Sequence, residues 1–131
     1  MEMQPIAGGC WAPIFSTFDR DGRLDLGAFS ALAEYVVAGG VDGLLVTGSN
    51  GEAWQLTFDE RAALYRAAVE AVGDRVAVGA GTGWSNTADA LRYTQLAADC
   101  GCDAAFVLEP WFLNADPPGL ERYFTAVAEA T

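Results

Sequence analysis

Four short apolar runs recur along this chain at intervals of roughly 30 residues, the length of one strand–helix unit. They occupy residues 10–15, 43–47, 75–80 and 104–108. Between them the apolar spacing changes from continuous to every third or fourth residue, which is the signature of a helix. Leu26, Phe29, Ala33, Val36 and Val37 share one face, with Asp25 placed as an N-cap and Gly39-Gly40 as the stop. A second helix opens on Thr57-Phe58-Asp59-Glu60, a capping-box pattern in which Thr and Glu each satisfy an orphan backbone donor. Its inward face reads Phe58, Ala62, Tyr65, Val69 and Val72, and Gly73 ends it. A third helix covers about Thr87–Asp99, with Leu91, Thr94 and Ala98 inward and Gly101 as its stop. The fourth starts near Pro117-Pro118, where a missing N–H costs nothing, and aligns Leu120, Phe124 and Val127. The alternation predicts an α/β chain, β-α four times over, with a mainly parallel sheet.

Length and charge bound the function. At 131 residues the chain reads as one domain, without linker, repeat or low-complexity tract. Just over half of it is hydrophobic, 52%, which is enough to build a compact core. Eighteen acids against seven basic residues give a net charge of −11, a poor match to the phosphates of a nucleic acid. All seven basic residues are Arg; there is no Lys and no His. Chemistry that needs an amine nucleophile or an imidazole base therefore cannot be completed by these residues alone. Cys10, Cys100 and Cys102 are an odd set with one C-x-C pair, which makes no zinc site without His or a second pair. Buried, reduced thiols are expected, and neither a metal nor a cofactor. Residues 1–5 lack the basic and apolar regions of a signal peptide, and no apolar run reaches the ~20 residues of a membrane span. The expected setting is the cytoplasm, with no nucleic-acid or membrane partner.

Ligands in parallel α/β folds bind beyond the C-terminal ends of the strands. Three loops lie there: residues 48–52, 81–86 and 109–114. The first, Gly48-Ser49-Asn50-Gly51-Glu52, joins a glycine-flanked backbone to a hydroxyl and an amide. It suits either a small anion pocket or a capped turn ahead of the helix at Thr57. Gly79-Ala80-Gly81-Thr82-Gly83 fits neither the dinucleotide nor the Walker pattern and reads as a tight turn. Trp54, Trp84 and Trp111 each follow a strand, as pocket rim or as packing. Glu52 reads as a catalytic acid or as an acceptor that fixes its own turn with loop amides. Glu109 is open in the same way.

The segment Gly40-Val41-Asp42-Gly43-Leu44-Leu45-Val46-Thr47-Gly48-Ser49-Asn50-Gly51-Glu52, with Leu56-Thr57 and Glu60-Arg61, resembles the dihydrodipicolinate synthase / N-acetylneuraminate lyase family. Asp21-Gly22-Arg23-Leu24-Asp25, the Gly79–Gly83 stretch, Gly101-Cys102-Asp103-Ala104-Ala105 and Pro110-Trp111-Phe112 extend the resemblance in order over the whole chain. It implies the first four βα units of a (β/α)8 TIM barrel, a fold of typically ~250 residues, so that residues 1–131 are the N-terminal half of an aldolase domain. It also implies class I aldolase chemistry on pyruvate or another small 2-oxo acid, in which a Lys forms a Schiff base and a Tyr shuttles the proton. By that resemblance Gly48, Ser49, Asn50, Gly51 and Phe112 are the substrate-binding residues. Asn50 and its amide take the carboxylate, and Ser49 supports the proton relay through the catalytic Tyr. The Tyr and the Lys belong to strands five and six, beyond these residues.

Two departures bear on substrate. The lysine-biosynthesis branch carries two threonines where this chain has Ser49-Asn50, and a second tyrosine where it has Phe112. The Gly-Ser-Asn-Gly-Glu form is closer to 4-hydroxy-2-oxoglutarate aldolases and related aldolases or dehydratases. Ser16-Thr17 replaces a Thr-Pro at the end of strand one, a smaller departure. The expected function is the N-terminal part of a Schiff-base-forming lyase, homo-oligomeric by resemblance. The alternative is a non-catalytic 2-oxo acid binding or assembly module left by truncation. A half-barrel would leave strands one and four unpaired, so self-association is expected.

Overall fold

A computed structural model describes residues 8–130; the opening segment read above for a signal peptide lies outside the described residues. Four parallel strands, β1 (Trp11–Pro13), β2 (Gly43–Val46), β3 (Ala77–Gly81) and β4 (Ala104–Phe106), form one sheet in the order β1-β2-β3-β4. Helices α1 (Leu26–Ala38), α2 (Phe58–Val72), α3 (Thr87–Asp99) and α4 (Pro117–Ala128) follow the strands in turn. The register pairs Trp11 with Gly43, Gly43 with Ala77, and Gly79 with Ala104. Every strand pairs with its sequence neighbour, so β1 and β4 are the outer strands among the described residues.

The caps explain where the helices begin. Asp25 accepts from the Ala28 N–H, Asn86 from Asp89 and Asp116 from Gly119, each satisfying a first-turn donor. Thr57 and Glu60 close a reciprocal capping box at the start of α2. Beyond α1 it is Gly40, at φ +90°, that takes the conformation an L side chain resists; Gly39 is still helical.

Strand alternation separates two faces. Leu44, Val46, Val78 and Ala80 point to the helices and are buried with Phe29, Ala33, Leu64, Tyr65, Ala68 and Val72. Each large apolar side chain removed from water there contributes about 1.5–3 kcal/mol. Trp11, Gly43, Leu45, Gly79 and Phe106 occupy the opposite face. The rings of Trp11 and Phe106 lie 5.3 Å apart and lean over the two glycines. A Cβ at Gly43 would come within 2.5 Å of the Trp11 ring, and one at Gly79 within 2.4 Å of Phe106. Two large side chains on the outer strands thus require small ones on the central pair.

Several local expectations are corrected. β1 and β4 are shorter than their apolar runs, because outer strands have a neighbour on one side only. In α3 the buried residues are Ala90, Thr94, Leu96 and Ala97, while Ala98 faces water. In α4 Tyr123 and Val127 are buried and Phe124 is exposed, since α4 packs on α3 and Trp84 rather than on the sheet. Phe58 is also exposed, stacked on Tyr93 at 6.0 Å. Gly79-Ala80-Gly81 belongs to β3 instead of a turn. Cys10 is exposed, whereas Cys100 is buried and Cys102 half-buried; all three are free.

Candidate functional site

Beyond the C-terminal ends of β2, β3 and β4 lies a cleft of about 600 Å³. β2 and its loop contribute Leu45, Gly48, Ser49, Ala53 and Trp54; β3 contributes Gly81 and Gly83; β4 and its loop contribute Phe106, Leu108, Trp111 and Phe112. The strands end together at this point because their register is in step, and the glycines let the loops close in. A Cβ at Gly81 would lie 2.3 Å from the Thr47 carbonyl oxygen, and one at Gly83 would lie 2.5 Å from the Leu108 amide nitrogen.

The turn after β2 is built on a strained residue. Thr47 has φ +53°, a left-handed conformation that costs a β-branched side chain about 1–2 kcal/mol. It is held there by its hydroxyl, 3.2 Å from both the Tyr65 hydroxyl and the Gly81 carbonyl. One proton per hydroxyl is satisfied by a chain in which Thr47 donates to Tyr65 and Tyr65 donates to Gly81, also at 3.2 Å. Burial pushes the Tyr65 phenol above its usual range, which keeps that proton in place.

Beneath the turn, Arg61 is fully buried on α2. Its guanidinium donates to the Gly81 carbonyl at 3.0 Å and the Ala53 carbonyl at 2.7 Å. It lies 4.0 Å from the Tyr93 ring centroid and 4.8 Å from that of Trp84. Among the described residues no carboxylate pairs with it, and its Nε–H has no acceptor. Such a cation is tolerated because carbonyl oxygens and two ring faces replace its water. Trp84 is fixed in turn by the Tyr123 hydroxyl, which accepts from the Trp84 N–H at 3.2 Å and donates to its carbonyl at 3.3 Å.

The turn itself leaves donors open. Gly51 and Glu52 donate back to the carbonyls of Gly48 and Ser49, both at 3.1 Å. The N–H groups of Gly48, Ser49 and Asn50 have no acceptor among the described residues. Consecutive free amides of this kind form an anion-binding concavity. The Ser16 hydroxyl donates to the Gly51 carbonyl at 2.7 Å and ties the turn to the end of β1.

Gly48, Ser49 and Phe112 therefore line the cleft, whereas Asn50 is exposed outside its lining and Gly51 is buried beneath it. Phe112 is fully exposed at φ +56°. Trp54 and Trp111 are rim residues with rings 6.4 Å apart; Trp84 packs behind Trp111 at 4.7 Å. Glu52 does not fix its turn with its carboxylate: the side chain is exposed and accepts no loop amide, and the residue serves through its backbone, at φ +54°. Glu109 is exposed and does not line the cleft. Thr47, Tyr65, Arg61 and Ser16 were not singled out by the sequence as parts of the site. The available signal was Arg61 itself, an ion one helical turn before Tyr65 on an otherwise apolar face. No three His, Cys, Asp or Glu residues cluster among the described residues, and no helix there is long and apolar enough to cross a membrane.

Comparison with known proteins points one way. A 4-hydroxy-tetrahydrodipicolinate synthase of Moorella thermoacetica is 42% identical over 114 residues, 87% of this chain and 39% of the relative. The crystal structure of a dihydrodipicolinate synthase from Bacillus anthracis superposes with a TM-score of 0.92 at 35% identity, covering 96% of this chain and 44% of that one. A prophage protein of the same family from Escherichia coli K12, solved in complex with pyruvate, gives 0.89 at 36% identity, covering 94% and 41%. The chain thus spans about two-fifths of the length of the relatives it matches, and its four parallel strands with alternating helices are the first four units of a TIM barrel. The dihydrodipicolinate synthetase family model matches residues 7–131, and the chain belongs to that family.

Proposed function

We propose that this chain is the N-terminal half of a TIM-barrel lyase domain acting on pyruvate or a related small 2-oxo acid through a Schiff base. The single observation that carries the reading is the row of free N–H groups at Gly48, Ser49 and Asn50, opening beside a cleft at the strand ends. Three consecutive open donors suit a carboxylate, and charge-assisted bonds of this type are worth about 1.5–3 kcal/mol each. The pyruvate complex of a family member supports the same ligand class. In this role Gly48, Ser49 and Asn50 bind the carboxylate, Gly51 lets the turn pack on Thr47 without a side chain, and Phe112 lines the cleft. Ser49, whose hydroxyl is exposed at the cleft, supports the proton relay. Phe112 has no hydroxyl and takes no part in it. With Ser49-Asn50 in place of two threonines, the proposed reaction is an aldolase or dehydratase step of the kind found in 4-hydroxy-2-oxoglutarate aldolases. The working state is a cytoplasmic homo-oligomer, a reading supported by the oligomeric members of the family.

The missing amine favours a second reading for these 131 residues taken alone. With no Lys they form no imine, so they act as a 2-oxo acid binding or assembly module. Two experiments separate the levels. A crystal soaked with pyruvate is expected to place its carboxylate at the amides of residues 48–50; density elsewhere, or a turn packed shut, refutes the binding site. Borohydride added with pyruvate is expected to leave the intact mass unchanged, and a specific adduct would overturn the requirement for a Lys. Reading the coding sequence past codon 131 then decides between enzyme and module: an in-frame Tyr and Lys on strands five and six favours the first, a stop codon the second.

A further inference from the structure

Arg61 has no accessible surface, so its contacts are complete within the described residues and no further element adds to them. Its Nε–H is orphaned, and a charge taken out of water is destabilising even when bonded. For cohesion alone, an apolar side chain of the same length would serve better. Neither of its acceptors depends on it. The Gly81 carbonyl keeps the Tyr65 hydroxyl at 3.2 Å, and the Ala53 carbonyl keeps the Leu56 N–H at 3.3 Å.

What the guanidinium does that no apolar group can is join two carbonyls from different segments. One ends β3. The other opens the 3₁₀ turn Ala53–Gln55, directly after the 48–52 turn. The 48–52 turn is bracketed by two kinks in the left-handed region, Thr47 at φ +53° and Glu52 at φ +54°. Neither is a glycine, so each kink is uphill and persists only where its surroundings hold it. Thr47, at the entry, is held by the hydroxyl chain to Gly81. Arg61 holds the exit, one residue past Glu52, and ties it to that same carbonyl. The faces of Tyr93 and Trp84 fix the guanidinium in turn, so its two donors are already set in place.

We propose that Arg61 is a positioning residue for the 2-oxo acid site. Acting through the Ala53 and Gly81 carbonyls, it keeps the 48–52 turn in the shape that receives a carboxylate, and it touches no ligand itself. This role rests on the carboxylate reading above and deepens it, because part of the affinity then resides in a side chain outside the cleft lining.

The test compares Arg61→Met, Tyr65→Phe and Val72→Ala with the unaltered chain by urea unfolding, ¹⁵N relaxation of the 48–52 amides and pyruvate titration. Met keeps the length of the side chain and packs well against aromatic rings. Val72 lies in the core at the opposite end of α2. Arg61→Met should lower the urea midpoint less than Val72→Ala does, yet bind pyruvate at least ~10-fold more weakly, the order set by a hydrogen bond to an ionised group. Its turn amides should lose order, with order parameters falling from about 0.85 towards about 0.6. Val72→Ala should leave affinity and order unchanged. Tyr65→Phe lets Thr47 donate to Gly81 directly and should weaken pyruvate by no more than ~3-fold. Arg61→Met that keeps its affinity overturns the proposal while the carboxylate site stands. Weaker binding with unchanged order parameters also overturns it, since the loss would then be one of charge alone. An Arg61→Met chain that fails to fold, or unfolds earlier than Val72→Ala, makes Arg61 a cohesion residue and overturns it too. A greater loss of affinity in Tyr65→Phe than in Arg61→Met gives the role to the hydroxyl chain instead. Pyruvate leaving the 48–50 amides of the unaltered chain unmoved would remove the reading on which the proposal rests.

Discussion

The two faces of one sheet obey opposite rules. On the helix-covered face, successive strands present Leu44, Val46 and Val78, large groups sealed from water by α1–α3. On the open face the same strands present Gly43, Leu45, Gly79 and Gly81, with bulk supplied by Trp11 and Phe106 from the outer strands. The first face is filled for cohesion. The second is kept small so that loops and rings can approach one another and leave a cleft. A period of two residues writes both rules into a single stretch of chain.

Substitutions at neighbouring positions should sharpen this contrast. Leu44→Ala opens a cavity under the helices and is expected to cost about 2–5 kcal/mol in urea unfolding, while Leu45→Ala, one residue later and half-buried, costs well under half as much. Equal losses would mean that the open face is packed as tightly as the covered one. Gly81→Ala comes next, at about 1–3 kcal/mol, because its methyl would meet the Thr47 carbonyl and not the end of a flexible side chain. It should also displace the amide signals of residues 48–50, and an unmoved spectrum would mean that the turn yields freely. The last test, confined to alkaline pH, concerns how dry the covered face is. Burial, reinforced by Cys100 and Asp103, pushes the Cys102 thiol up to about 12. The unfolded chain ionises this thiol first, so stability is complete below pH 9 and declines as pH rises from 9 towards 12. Tyr65 and Tyr123, also raised by burial, act in the same direction. Thermal melting against pH should therefore flatten measurably in Cys102→Ala; an unchanged slope would assign the decline to the tyrosines.

Most of the fold was legible because its signals are local. Capping residues, glycine stops and the recurrence of apolar runs fixed four strands and four helices in order, and Thr57-Phe58-Asp59-Glu60 marked the start of α2. Misread positions have a common cause. Ala98 and Phe124 were placed inward by spacing alone, but α4 rests on α3 and Trp84 rather than on the sheet, which turns the contact faces of both helices. The cleft was half legible: Gly48 and Ser49 of the motif line it, and Trp54 and Trp111 form its rim. What escaped was its support. Arg61 is written among alanines and reads as a solvated residue; only the meeting of α2, β3 and two aromatic rings makes it an interior one. Thr47 likewise read as the last residue of a strand, since a torsion angle leaves no trace in composition.

One carbonyl joins these observations. Gly81 receives the guanidinium of Arg61 and the hydroxyl relay from Thr47 through Tyr65. Through that oxygen the turn after β2, the end of β3 and the helix between them are riveted into one unit. On the function proposed above, an arriving anion would meet a turn whose shape was set during folding, so its capture would require no rearrangement. For the same reason, anything that loosens the rivet should weaken capture without ever touching the ligand.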